Sequence, residues 1–292
     1  MPALFAALLT PFSSSTGAVD HGLVPAHLRW LERNGVHGVV VCGTTGEAQS
    51  LGLDERRALI DTVLEHRGGL RVVAGTGCAA LPETIALTRY AIEQGAESAL
   101  VLPPFYFKGV SDTGLLGFYR AVCDALPDGG RVMLYHIPPM SQIAISPALI
   151  AGLLESHLEA ICGLKDSGGD PAYSAGLIER FPSLQIYTGG ALLLARALAD
   201  GAAGGIFALA NVFPRELRAV IDAHTTGGDT QAAQQRVAAL NEAIKPAPVI
   251  PALKALLAEQ AGLPLSSARV PLVDLSEPER LALLGRVRRA EP

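Results

Sequence analysis

The chain has 292 residues, of which 49% are hydrophobic and 17% charged, and its formal net charge is −5. That length and apolar content suit a soluble globular protein built as one α/β barrel or two smaller domains. The positive charges are scattered and no apolar run approaches the thickness of a bilayer, so neither a nucleic-acid partner nor a membrane is expected. No basic residue precedes the apolar ones in Met1-Pro2-Ala3-Leu4-Phe5, so no secretory signal is expected, and the expected location is cytoplasmic. The four cysteines, Cys42, Cys78, Cys123 and Cys162, lie far apart with no CxxC pair. They read as free thiols in a reducing compartment, with no zinc site.

Taken in order, residues 3–12 form an apolar run ending at Thr10-Pro11, a first strand. Residues 20–34 carry Leu23, Val24, His27, Leu28 and Leu31 at helical spacing, closed by Asn34-Gly35. Residues 36–42 are β-branched and almost continuously apolar, as expected of a parallel strand covered on both faces. The alternation then repeats: a helix over 54–67, a strand over 71–75, a helix over 81–94 stopped by Gly95, and a strand over 98–102 ended by Pro103-Pro104. A helix over 113–126 leads to a fifth strand over 131–137, ended by Pro138-Pro139. Ser146-Pro147 predicts an N-cap with proline at the first helical position, and that helix leads to a sixth strand carrying Lys165. Helices over 173–180, 191–200 and 214–224 alternate with strands over 184–188 and 205–210. Eight βα units in a chain of this length predict a closed (β/α)8 TIM barrel over residues 1–225. The remainder, 226–292, reads as three helices, 230–244, 250–261 and 277–288, a C-terminal extension packed on the barrel.

In such a barrel the chemistry belongs at the C-terminal ends of the strands. Strand two stops at Gly43-Thr44-Thr45-Gly46-Glu47, strand four at Phe105-Tyr106-Phe107, strand five at Tyr135-His136, strand seven at Gly189-Gly190, and Asn211 follows strand eight. Of the four lysines, Lys108, Lys245 and Lys254 read as loop or helix surface, whereas Lys165 lies within an apolar strand. A buried ammonium must be paired, or be discharged to an amine that attacks carbonyls. Asp166 alternates to the other face and need not neutralise Lys165, and His136 likewise points away as a structural residue. Tyr135 needs a partner for its hydroxyl, from backbone or from the site. The Gly43–Gly46 turn is either an ordinary capped turn or a nest of N–H groups for an anion. It is not a phosphate loop, because GxxxxGK[ST] is absent.

Gly43-Thr44-Thr45-Gly46-Glu47, Tyr135-His136-Ile137-Pro138 and Gly163-Leu164-Lys165-Asp166-Ser167 together resemble the dihydrodipicolinate synthase / N-acetylneuraminate lyase family. So do Gly189-Gly190, the segment from Gly205 to Asn211, and Pro248-Val249-Ile250-Pro251-Ala252-Leu253-Lys254. The resemblance implies a class I lyase or aldolase acting on pyruvate or another 2-oxo acid, with an aldehyde partner and no metal or organic cofactor. It implies Lys165 as the imine-forming lysine, Tyr135 as the proton shuttle and Thr45 as its link to a relay. Tyr106 resembles the relay tyrosine that reaches into a neighbouring subunit of a homotetramer, a dimer of dimers. Thr44 and Thr45 resemble the residues holding the 2-oxo acid carboxylate, with Ile206, Gly189 and Met140 lining the substrate site.

Met140 stands where dihydrodipicolinate-forming members carry an arginine, and methionine offers no guanidinium fork. The Lys165-to-Asp170 turn resembles aldolases of 4-hydroxy-2-oxoglutarate and 2-keto-3-deoxy acids, so these are the leading substrates and dihydrodipicolinate synthesis the alternative. Two other readings are a non-catalytic 2-oxo-acid-binding barrel and a phosphate-binding isomerase. The first has no reason to retain lysine, tyrosine and both threonines. The second wants a general-base carboxylate ending a strand, and none does.

Overall fold

The computed structural model describes residues 1–290, so the last two residues of the expected extension, 291 and 292, lie outside the described residues. The chain opens with strand β1 (Ala3–Ala7), helix α1 (Val24–Arg33), β2 (Gly38–Val41), α2 (Leu53–His66), β3 (Arg71–Gly75), α3 (Leu81–Glu93) and β4 (Ser98–Val101). It continues through α4 (Asp112–Asp124), β5 (Val132–His136), a one-turn helix α5 (Pro138–Ser141), α6 (Pro147–His157) and β6 (Ile161–Asp166). Helix α7 (Pro171–Arg180), β7 (Gln185–Thr188), α8 (Leu194–Ala199), β8 (Gly204–Phe207) and α9 (Pro214–Thr226) complete eight units. Each strand pairs in parallel with the next, and β8 returns to β1 through Leu4↔Gly205 and Phe5↔Ile206, closing the barrel. The expected TIM barrel is the observed fold.

Strand residues divide by the two-residue period. Phe5, Ala7, Val40, Val73, Leu100, Met133, Tyr135, Tyr187 and Ile206 fill the barrel interior. Leu4, Ala6, Val39 and Val41 point outward against the helices. The interior is packed, with Phe5 edge-on to Tyr187 at 5.6 Å between ring centroids. An Arg71–Glu97 ion pair lies at the N-terminal end of this interior, which leaves the C-terminal mouth for chemistry.

Both outermost strand expectations ran too long. The first strand stops at Ala7 because the chain then spends its polar groups elsewhere: Leu9 N–H donates to Asn211 Oδ1, Thr10 Oγ1 donates to the Gly46 carbonyl, and Pro11 has no N–H. Residues 8–12 are buried all the same, which is why all but Thr10 are apolar. The eighth strand ends at Phe207, and Leu209–Asn211 is a 3-10 turn. The expected Ser146 cap is present, accepting from Leu149 N–H at 3.0 Å with Pro147 opening α6.

Strands β5 and β6 carry a register shift: Val132 pairs Ile161, but Met133 pairs Gly163. Without the shift Tyr135 would pair Leu164; with it, Tyr135 pairs Lys165. The two functional side chains therefore rise from adjacent strands on the same face.

The extension comprises α10 (Thr230–Ile244), α11 (Val249–Ala261) and α12 (Glu277–Ala290). Val237, Leu240, Leu256 and Leu283 join the same apolar cluster as Val39 and Val41 of β2. These three helices share the barrel's apolar cluster.

Candidate active site

At the C-terminal mouth Lys165 is 5% exposed, and its Nζ donates to the Tyr135 hydroxyl at 3.3 Å, standing 4.5 Å from the centre of that ring. Among the described residues no carboxylate forms an ion pair with Lys165. The adjacent Asp166 faces outward, accepting from Gly168 N–H at 2.8 Å and from Ser174 Oγ at 2.5 Å. His136 also faces outward, accepts from Ile145 N–H and stacks on Tyr173 at 4.2 Å. The alternation that sent both residues away from Lys165 is the one observed.

Tyr135 sits within a hydroxyl network. Its oxygen lies 3.3 Å from Thr44 Oγ1. Burial alone would raise the phenol's pKa, but the Lys165 charge and hydrogen bonds from Thr44, Lys165 and Ser167 outweigh it and bring it below the usual 10. The hydroxyl on Tyr135 belongs to Thr44, not to Thr45, which had been expected to make this link. Cys42, at φ +55°, is left-handed. It rotates the turn out of strand alternation, so the order of side chains along β2 does not carry into it. Thr45 is half-buried in the same turn.

The Gly43–Glu47 turn is shaped by close approach. A Cβ on Gly46 would stand 2.7 Å from the Leu8 carbonyl oxygen. Gly189 donates its N–H to the Asp166 carbonyl at 2.6 Å, and a Cβ there would meet Ser167 Oγ at 2.1 Å. Ile206 is buried in the interior layer, paired to Phe5. Met140, on α5, is 66% exposed and lines a cavity of about 490 Å³ together with Thr44, Leu102, Phe105 and Ile250. A second cavity of about 550 Å³ opens past Gly189 and Gly190.

Tyr106 is 74% exposed, edge-on to Phe107, and within this chain no described contact brings it to Tyr135 or Thr44. Lys254 corrects the reading of it as a surface residue: it is 2% exposed, and its Nζ donates to Glu47 Oε1 at 2.5 Å. The signal was present in α11, where Lys254 interrupts a run that is apolar on every side. Ser167 and the Glu47–Lys254 pair were not singled out as site residues beforehand. Cys42, Cys78 and Cys123 are buried free thiols and Cys162 is partly so. Burial pushes Cys42 up to about 12, a protonated and unreactive thiol. Among the described residues no group of three or more His, Cys, Asp or Glu is placed to hold a metal ion, and no helix is long and apolar enough to cross a membrane.

The model of the dihydrodipicolinate synthetase family matches residues 1–290. An uncharacterised DapA-like lyase from Chloroflexus aurantiacus is 49% identical over 96% of this chain and 94% of its own length. The crystal structure of a prophage protein of the dihydrodipicolinic acid synthase family from E. coli K12, in complex with pyruvate, superposes with a TM-score of 0.92. It is 25% identical, covering 100% of this chain and 99% of that one. KD(P)GA from T. tenax gives a TM-score of 0.90 at 26% identity, with 100% and 99% covered. The chain belongs to the dihydrodipicolinate synthetase family. It is a lyase of that family, built on the family's barrel.

Proposed function

We propose that the protein forms a Schiff base between Lys165 and pyruvate or another 2-oxo acid, and makes or breaks a carbon–carbon bond beside it. The observation that carries this is the buried Lys165 amine, free of any described carboxylate partner, 3.3 Å from the Tyr135 hydroxyl, which has Thr44 at 3.3 Å behind it. With Tyr135 as the phenolate, passing a proton from Nζ to its oxygen leaves a neutral amine that adds to the C2 carbonyl. The phenol then returns that proton to the carbinolamine hydroxyl, which leaves as water. The iminium draws electrons from C3. In the forward direction the Tyr135 phenolate takes the C3 proton, and the enamine attacks an aldehyde, whose oxygen takes that proton from Tyr135 as the bond forms. In reverse Tyr135 takes the C4 hydroxyl proton as the C3–C4 bond breaks and the aldehyde leaves, then hands that proton to C3 of the enamine. Water hydrolyses the iminium to free the 2-oxo acid and Lys165. The Thr44–Thr45 turn holds the carboxylate, with Ile206, Gly189 and Met140 around the substrate.

Among substrates, 4-hydroxy-2-oxoglutarate and 2-keto-3-deoxy acids lead, supported by the Lys165-to-Asp170 turn. Dihydrodipicolinate synthesis is second, because the Met140 thioether cannot pair with a second substrate's carboxylate. A homotetramer with Tyr106 reaching a neighbouring site, in a reducing cytoplasm, accords with the exposed Tyr106 and Phe107 and with the free thiols.

Exchange of the pyruvate methyl protons in D2O, followed by NMR, tests the chemistry without knowledge of the aldehyde. The wild type is expected to exchange, Lys165→Ala not at all, and Tyr135→Phe about 10²-fold more slowly. Undiminished exchange in Tyr135→Phe removes Tyr135 from the mechanism. A panel of 4-hydroxy-2-oxo acids, beside pyruvate plus aspartate semialdehyde, then ranks the substrates.

A further inference from the structure

Glu47 closes the Gly43–Glu47 turn in the left-handed region, at φ +55° and ψ +37°, a conformation that disfavours any residue with a Cβ. Its carboxylate is held from the C-terminal extension: Oε1 accepts from Lys254 Nζ at 2.5 Å and Oε2 from Arg269 N–H at 2.8 Å. Both side chains of the Glu47–Lys254 pair are 1% exposed. Lys254 is in turn fixed by the Ser267 carbonyl at 2.6 Å and by the Phe12 ring at 4.6 Å. The Arg269 guanidinium reaches back to Glu55 and to the Ser50 carbonyl, each at 2.7 Å.

We propose that Glu47, gripped by Lys254 and Arg269, is a positioning residue for the 2-oxo acid clamp, so that the C-terminal extension helps to set the active site. The inference rests on the Schiff-base reading of Lys165. A buried ion pair adds little net stability over apolar side chains of the same volume, so stability alone does not explain this one. Its placement does. Glu47 N–H donates to the Thr44 carbonyl at 3.1 Å, so the conformation that the carboxylate grip imposes on Glu47 is passed to Thr44, whose hydroxyl lies on Tyr135. The residues on either side of Glu47 are fastened separately, Thr10 Oγ1 on the Gly46 carbonyl at 2.6 Å and Arg56 Nε on the Ala48 carbonyl at 3.0 Å.

The test measures three quantities: the pyruvate concentration for half-maximal borohydride trapping, the trapped stoichiometry at saturation, and methyl exchange in D2O. Single charge removals strand a buried ion, so the double variant Glu47→Gln/Lys254→Met is used, which removes both charges at near-constant volume. Its expected behaviour is wild-type stoichiometry, half-saturation raised at least tenfold and exchange slowed at least tenfold. A purely structural role lowers stoichiometry and leaves half-saturation unchanged, and that result overturns the proposal. Glu47→Asp keeps the charge but shortens the reach. It is expected to raise half-saturation in the same direction, and an unchanged value overturns the proposal even if the double variant fails to fold. A wild-type protein that traps no pyruvate at Lys165 overturns the Schiff-base reading itself, a distinguishable failure.

Discussion

Lys165 and Lys254 are both buried lysines, held in opposite ways. Lys254 has a carboxylate at 2.5 Å, and burial still pulls its pKa below the usual 10.5, with Glu47 opposing that shift. Lys165 has a phenol in place of a carboxylate, the arrangement that leaves an amine available to a carbonyl. A third buried base, His27, is held by burial at a pKa of about 3 against 6.5. The unfolded chain therefore binds a proton that the folded one refuses. His27 contributes stability that is complete above pH 6.5 and is lost as pH falls towards 3, by up to about 1.4 kcal/mol per pH unit. Denaturant midpoints of His27→Gln are expected to fall less steeply over that window than those of the wild type. Parallel slopes would mean that His27 is solvated. At this scale Lys165 and Tyr135 were legible because each is a lone reactive group at the end of an apolar run. The Thr44–Thr45 order was not: the family likeness assigned the link to Thr45, and the left-handed Cys42 takes the turn out of the strand alternation that could otherwise have told the two apart.

The β5–β6 register shift is the element-scale device on which the site depends. It places Tyr135 opposite Lys165, and on the other side of β6 Gly163 lies close against β7, where a Cβ would stand 2.2 Å from the Gln185 carbonyl oxygen. Gly163→Ala is expected to destabilise by at least the roughly 1–3 kcal/mol of core overpacking, because the obstacle is backbone. Its methyl exchange should fall further than its folded fraction does. A wild-type melting midpoint would show that the strand yields freely. No residue pattern announces the shift, since Cys162 and Gly163 read as ordinary members of an apolar strand. Apolar runs likewise overextended the first and eighth strands: residues 8–12 and 209–211 are as buried as strand residues, and their hydrogen bonds run elsewhere. Burial was visible in the sequence; the hydrogen-bond partner was not.

For the whole molecule, eight parallel strands closed in sequence order put the strand ends, and hence the motifs, on one mouth. The alternation of apolar runs and helical periods made that order legible. The involvement of the extension in the site was hidden, because Lys254 and Glu47 are 207 residues apart and meet only in three dimensions. The central claim is that Lys165 attacks a 2-oxo acid. Incubation with pyruvate and borohydride, followed by digestion and mass spectrometry, tests it most directly. The account predicts one reduced pyruvyl adduct on the peptide containing Lys165, absent from Lys165→Ala. An unmodified Lys165, or an adduct that persists in Lys165→Ala, would contradict it.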